Sequence, residues 1–359
     1  MNVHILHESG YSQNGIAFRF PLWFNRKQLE QRGMSLRFFS EIEPALFEGD
    51  VLAISSRFFS SWWSEERRPE LFAFLEKAKT SFDRVIWFDL SDSTGTTQFQ
   101  VLPFVHRYAK NQLLRDRTRY RERWYASRIF ADYYHKQFNV EDDDPGPPHL
   151  NHPITDEGIE KLFVGWNSGL FHYGYAGLFL GKLWYRRRWI PARYPKCWHA
   201  PSAARSLPIS CRVGAGHTRE TIASSRRKIR ELLKDRLPSG KIGRWPYLKE
   251  LQSSIAAVSP FGLGEISLRD FECAVAGTAV IKQDMSHVDT WPNLWQKGRS
   301  YLPFAWDFSD FEEKIAYACD HAEEMAQLAS CAQSRYRHIL RSEEGQEEFI
   351  ERFIRIVTT

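Results

Sequence analysis

Glu265 and Glu272 lie seven residues apart in Ser259-Pro260-Phe261-Gly262-Leu263-Gly264-Glu265-Ile266-Ser267-Leu268-Arg269-Asp270-Phe271-Glu272, a stretch that closes with Gly277. On a helix this spacing is close to two turns, so both carboxylates project from one face and can accept hydrogen bonds from the hydroxyls of a ribose or another sugar. Gly262 and Gly264 stand on the turn that leads from an apolar strand into that helix. Glycines there let the backbone approach a ligand closely, and the first helical N–H groups, at the positive end of the helix dipole, suit a phosphate or diphosphate. The same residues have a plain structural use: Glu265 as a first-turn acid, Glu272 on a solvated face, the glycines in a tight turn.

The first half of the chain offers a proton acceptor. Phe88-Asp89-Leu90-Ser91-Asp92-Ser93-Thr94-Gly95 ends a buried strand with two acids and three hydroxyls, so its polar groups are expected in a cleft at the carboxyl edge of a sheet. Asp92 and Asp89, then His106, are the candidates for taking a proton from an acceptor hydroxyl. An Asx or Ser/Thr turn capping the next helix is the competing use of that loop. Gly10, Asn14, Gly15 and Arg19 form the first strand-to-helix loop, where a glycine opening a helix permits close approach of a ligand.

Positive charge concentrates at Lys182-Leu183-Trp184-Tyr185-Arg186-Arg187-Arg188-Trp189-Ile190-Pro191. Interleaved rings and cations, Trp184, Arg187 and Trp189 above all, suit the headgroup layer of an anionic membrane; they equally suit stacking on nucleic-acid bases or a buried insert with snorkelling arginines.

Elements must hold these groups in place. The chain has 359 residues, 43% hydrophobic and 26% charged, which excludes a disordered or disulfide-stapled scaffold and allows two domains of ordinary size. The 49 Lys and Arg against 44 Asp and Glu leave a charge of +5, too small for a polycation. Five cysteines without a C-x-x-C pair fit reduced thiols and make a structural zinc site unexpected. The start of the chain lacks a signal-peptide pattern and no run of about 18 apolar residues occurs, so a cytoplasmic protein, peripheral at the inner face of the cell membrane, is expected.

Strand patterns at residues 3–6, 34–39, 50–55 and 84–89 alternate with helical ones at 16–32 and 69–80, which predicts parallel βαβ units. Residues 98–138 carry Arg, Lys and Tyr at helical spacing. The acidic, proline-rich Glu141-Asp142-Asp143-Asp144-Pro145-Gly146-Pro147-Pro148 marks a linker. The pattern then restarts with strands at 209–213, 254–259 and 278–282, helices at 221–235 and 268–276, and closing helices at 312–332 and 344–357. Three sections follow: residues 1–150 as a first α/β domain, 151–205 as linker and basic aromatic insert, and 206–359 as a second α/β domain with closing helices.

The stretch Ser259 to Glu272, continued by Lys282-Gln283-Asp284-Met285-Ser286-His287 and Thr290-Trp291-Pro292, resembles the nucleotide-sugar half of GT-B glycosyltransferases. More closely it is similar to a bacterial branch from surface-polysaccharide loci that carries S-P-F-G-x-G-E-x-x-x-R-D-F-E followed by K-x-D-M-S-H. The resemblance implies an α/β protein of two facing Rossmann-like domains with a C-terminal helix packing back, residues 1–150 as the acceptor-side and 206–359 as the donor-side domain. It implies transfer of a sugar from a nucleotide sugar or polyprenyl-phosphate sugar to a glycan or lipid-linked glycan, with no metal, no cofactor and no nucleic-acid partner. By resemblance Glu272 takes the ribose, and the sugar-facing role falls to Glu265 with a one-residue shift from the family's E-x7-E. Arg212 and Arg219 are the preferred pair for the leaving diphosphate, ahead of Arg226 and Lys228. Gly262, Gly264, Arg269, Lys282 and His287 complete the donor side, with Lys282 on a phosphate and His287 on a sugar hydroxyl or ordering its loop. Gly15, Asn14 and Arg19 would face the acceptor and the donor phosphates. If transfer inverts the anomeric centre, Asp92 or Asp89 is the base; if it retains configuration, the leaving phosphate can take the proton. A sugar-nucleotide epimerase or a phosphorylase on the same scaffold is the alternative enzyme, and a non-catalytic basic binder of lipid or nucleic acid the alternative of another class.

Overall fold

The computed structural model describes residues 1–147, 149–171, 183, 194–234 and 236–359. The Trp184, Arg187 and Trp189 segment lies outside the described residues.

Apolar runs of the first half become strands β1 (Asn2–Leu6), β2 (Ser35–Phe39), β3 (Val51–Ser55), β4 (Arg84–Asp89), β5 (Arg107–Lys110), β6 (Gln112–Leu114) and β7 (Leu162–Val164). All but β6 join one parallel sheet in the order β2-β1-β3-β4-β5-β7. Its central strand β3 is buried at every position, as a parallel sheet covered on both faces requires. The order reverses between β1 and β3, so a crevice is expected at the carboxyl ends of those two strands. The second half supplies β8 (Leu207–Ser210), β9 (Ser254–Val258), β10 (Ala279–Gln283), β11 (Val288–Thr290) and β12 (Leu302–Phe304). Four of these form a parallel sheet in the order β12-β10-β9-β8.

Two devices lock the lobes face to face. An antiparallel ribbon pairs β6 of the first half with β11 of the second, Val288 opposite Leu114 and Thr290 opposite Gln112. The last helix, Glu343–Thr358, crosses back to the first lobe: Phe349 meets Trp166 edge-on, and Arg352 Nη1 donates to the Val164 carbonyl at 2.7 Å. The protein is thus α/β, with two facing Rossmann-like lobes and a terminal helix packing back. No helix among the described residues is long and apolar enough to cross a membrane.

Four features differ from the sequence reading. The expected 16–32 helix is two helices, Gln13–Phe24 and Arg26–Gln31, broken at Asn25, whose side chain bonds the carbonyl of Pro21, a residue without an N–H of its own. Residues 98–138 are helical only at Ile129–Phe138 apart from short 3₁₀ turns; the tyrosines that suggested helical spacing instead satisfy backbone groups, Gln98 N–H donating to the Tyr108 hydroxyl and Leu114 N–H to that of Tyr120, both at 2.9 Å. The closing helix at 312–332 is split at His321 into Phe311–Asp320 and Ala322–Arg341. The first lobe also reaches past residue 150, because β7 pairs with β5.

Candidate active site

Side chains from several places in the second lobe converge on one cleft: the loop after β8, the helix Glu220–Leu232, the loop after β9, and the starts of helices Arg244–Ser253 and Leu268–Ala276. Two adjoining cavities of about 310 and 730 Å³ share Val213, Gly214, Arg226, Arg244, Tyr247 and Arg269. Glu272 lines the smaller, and Arg212, Arg230 and Lys241 the larger. Both sit at the carboxyl edge of the parallel sheet, where α/β folds bind ligands.

Glu272 is 7% exposed and accepts a hydrogen bond from Arg244 Nη1 at 2.9 Å. Burial pushes its carboxyl pKa above the usual value, and Arg244 and Arg269 only partly offset that. Arg269 supports the floor, donating to the carbonyls of Val258 and Arg212 at 2.9 and 2.6 Å and lying 5.7 Å from the Tyr247 ring. Arg212 is bidentate to Glu250, Nε donating to Oε1 at 3.0 Å and Nη2 to Oε2 at 2.6 Å. Among the described residues Arg226 Nε and Arg244 Nη2 are buried without a hydrogen-bond partner, so the protein leaves two cations of the cleft incompletely used.

The helix expected to begin near Glu265 begins at Leu268. Ser267 and Asp270 form a capping box in which Asp270 accepts from the Ser267 N–H at 3.0 Å, so the glycine turn precedes the helix and does not open it. Gly264 faces the other lobe: a Cβ there would fall 1.7 Å from the Asp92 carbonyl oxygen. Glu265 follows it across and is fully buried among first-lobe donors. It accepts from Ser93 Oγ at 3.1 Å, Thr94 Oγ1 at 2.6 Å and Gln112 Nε2 at 2.9 Å. Burial alone would raise its pKa, but the nearby His287 imidazole and the hydrogen bond from Thr94 outweigh that and hold it below the usual carboxylate value. The structure gives to the protein's own Ser, Thr and Gln the acceptor capacity expected to serve a sugar.

Other expected residues are similarly engaged. Lys282 is fully buried, with its ammonium 2.9 Å from the Ser259 carbonyl and 3.1 Å from Asp270, a carboxylate where a phosphate was expected. Asp89 is also fully buried, 2.9 Å from Lys110 Nζ and 2.6 Å from the Tyr108 hydroxyl, hence out of reach of an acceptor. His106 lies at the start of β5, the amino edge of the sheet, accepting from the Val85 N–H. Arg219 turns toward the acidic linker, 2.9 Å from the Asp144 carbonyl and 3.6 Å from Asp142. His287 stands 3.6 Å from Glu265, with its ring 4.9 Å from that of Trp306.

Asp92 is in the open. Its side chain is 37% exposed, accepts from Asn14 Nδ2 at 2.7 Å and lies 3.8 Å from Arg57. Beside it, at the β1/β3 crevice, is a cavity of about 380 Å³ lined by Glu8, Tyr11, Arg57 and the serines 9, 12, 40 and 60. The Ser12 side chain accepts from the Gly15 N–H, and a Cβ on Gly15 would fall 1.5 Å from Glu8 Oε1, so this helix start already holds the protein's own carboxylate. Arg19 is buried beneath it, 3.7 Å from Glu8. Sequence reading missed Glu8, Arg57, Arg244 and Tyr247. The first two lie two positions past the ends of β1 and β3, a placement that does signal a ligand edge; the last two sit in a polar stretch with no such mark.

No family model matches the chain, and no curated protein matches its sequence. Among solved structures, the apo form of the lipopolysaccharide outer core galactosyltransferase WaaB is similar over 99% of both chains at 11% identity and a TM-score of 0.48. An α-glucosyltransferase in complex with UDP is similar over 99% of both chains at 11% identity and a TM-score of 0.47. Anabaena Alr3699/HepE in complex with UDP-glucose aligns over 98% of this chain and 99% of its own at 12% identity and a TM-score of 0.43.

Proposed function

We propose that the chain is a glycosyltransferase that moves a sugar from a nucleoside-diphosphate donor, seated in the second lobe, to a glycan hydroxyl presented by the first. The observation that carries this reading is the cleft in which Arg226, Arg244 and Arg269 surround a single buried carboxylate, Glu272. A diphosphate needs cations with donors to spare, and a ribose needs an acceptor beside them. Tyr247 and Ile242 in the same cleft offer a surface for a base. An acid among the arginines works against a polyanion and so against a non-catalytic nucleic-acid binder. The polar, arginine-rich lining favours a nucleotide over a polyprenyl phosphate as the carrier of the sugar.

In the transfer, the bond from the anomeric carbon to the diphosphate oxygen breaks with its electron pair passing to that oxygen, where the arginines meet the growing charge. The acceptor oxygen bonds the anomeric carbon and releases its proton. Asp92, exposed and abutting the Gly264 turn, is the base for an inverting transfer; in a retaining transfer the leaving phosphate takes the proton. A lipid-linked or surface-polysaccharide acceptor at the membrane rests on the basic aromatic residues 182–191 of the sequence.

The test is a thermal-shift panel of sugar nucleotides and polyprenyl-phosphate sugars. A bound donor at a hundred times its Kd stabilises the native state by about 2.7 kcal/mol, so a hit is plain. Stabilisation by a sugar nucleotide, followed by release of its nucleoside diphosphate only when a glycan is added, supports the reading; stabilisation by none removes it, and donor turnover without acceptor reassigns the chain to an epimerase or hydrolase.

A further inference from the structure

The Phe261–Leu263 turn is gripped from both lobes. Arg128, from the first lobe, donates through Nε to the Leu263 carbonyl at 2.8 Å and through Nη1 to the Ala126 carbonyl at 2.8 Å. Arg226, from the second, reaches the Phe261 carbonyl at 3.5 Å and the Gly214 carbonyl at 3.4 Å, both long contacts, while its Nε is buried with no partner among the described residues. Arg226 thus stands beside Gly262, whose absent Cβ would be 3.3 Å from its Nη2, and Arg128 holds the next residue, Leu263.

The backbone aims Arg128 at some expense. Ala126 and Ser127, immediately before it, both adopt left-handed conformations, with φ of 51° and 56°. Such residues persist where the surroundings over-determine them and cluster at ligand clamps. Here the Ser127 carbonyl is held by Thr96 Oγ1 at 3.0 Å. Cations crowd this spot. Burial and then Arg219 bring the Arg128 guanidinium down to about 10, and burial together with Arg226, Arg219 and Arg128 lowers the His217 imidazole. The acids nearby have other partners: Asp142 has Arg219 and Thr221, Asp92 has Asn14 and Arg57, and Glu265 has Ser93, Thr94 and Gln112. Among the described residues none of the three is hydrogen-bonded to Arg128.

We propose that Arg128 is the first lobe's half of a diphosphate clamp whose other half is Arg226, so that the leaving diphosphate bridges the lobes beside the Phe261–Leu263 turn. The clamp rests on the donor reading above and adds to it a residue outside the donor lobe. Charge arriving on the diphosphate oxygen as the sugar leaves is then met from both sides, and the lobes are drawn together when the donor is in place.

Titration calorimetry of the full chain with inorganic pyrophosphate tests this. Wild type is expected to bind, with Arg226→Gln and Arg128→Gln each at least tenfold weaker. In wild-type protein, pyrophosphate is also expected to slow modification of both Arg128 and Arg226 by phenylglyoxal, read by peptide mapping, a measurement that does not depend on the variants folding. If Arg226 is protected and Arg128 is not, or if folded Arg128→Gln binds pyrophosphate like wild type while Arg226→Gln does not, the clamp is overturned and the donor site stands. No binding of pyrophosphate to wild type would overturn both.

Discussion

Glu265 and Glu272 leave the same short stretch of chain, and both are buried, yet their surroundings differ in kind. Around Glu265 stand neutral donors of the other lobe, Ser93, Thr94 and Gln112, each already aimed at an oxygen. Around Glu272 stand arginines with donors left over, beside open volume. A carboxylate whose partners are complete is an inter-lobe peg; one buried among incompletely used cations marks a place where something else belongs. Seven residues of separation cannot make this distinction, because it depends on what the opposite lobe brings.

The comparison can be broken or sharpened by substitution. The largest effect is expected at Asp92, which touches the Gly264 turn and pairs with Arg57 of the neighbouring first-lobe cavity. Asp92→Asn should lower turnover by on the order of 10²–10⁴-fold with nucleoside-diphosphate affinity unchanged, as loss of a general base predicts. Steady-state kinetics against calorimetry separates the two, and near-normal turnover would point to a retaining transfer without a protein base. Next comes Glu265→Ala, which strands several buried donors and should cost about 3 kcal/mol of stability by urea unfolding while leaving the affinity of the folded protein intact. Weakened binding at full stability would reverse the assignment of the two acids.

Glu272→Gln should weaken a nucleoside diphosphate about tenfold, the loss of one charged hydrogen bond, without lowering the melting temperature. Acidification separates the pair further. The Glu272 pKa is raised, so its ionised, ribose-accepting form is lost as pH falls through a value above the ordinary carboxylate range. The Glu265 pKa is lowered, so its contribution to stability is present above the unfolded pKa and is lost only as pH falls through the lower folded value. Donor binding should therefore fail at a higher pH than folding; the opposite order in paired titrations would contradict the scheme. The smallest effect is expected at Arg227, an exposed side chain paired with Glu220, where Arg227→Gln should change affinity by no more than about twofold.

Much of this was legible in the sequence. Apolar runs gave β1, β3, β4 and β9 nearly to the residue, and the helical pattern at 268–276 matches the Leu268–Ala276 helix, although its start near Glu265 was read too early. That Glu272 and Arg269 would line a cleft was legible because they follow a strand and a glycine turn. Residues such as Lys282 and Asp89 misled because a polar side chain on a strand end looks the same whether it meets a ligand or a buried counter-ion, Asp270 in one case and Lys110 in the other. The β6–β11 ribbon was invisible, since each three-residue strand acquires its partner only when the lobes meet. Arg128 was hidden for the same reason: its target, the Leu263 carbonyl, is 135 positions away along the chain.

The most direct test of the central claim is calorimetric titration of uridine, guanosine and adenosine diphosphates into wild type, Arg226→Gln and Glu272→Gln. The account predicts that one of them binds wild type and that both variants lose at least about tenfold in affinity, roughly 1.4 kcal/mol, while remaining folded. A nucleotide that binds all three proteins alike, or a wild type that binds none, would contradict it.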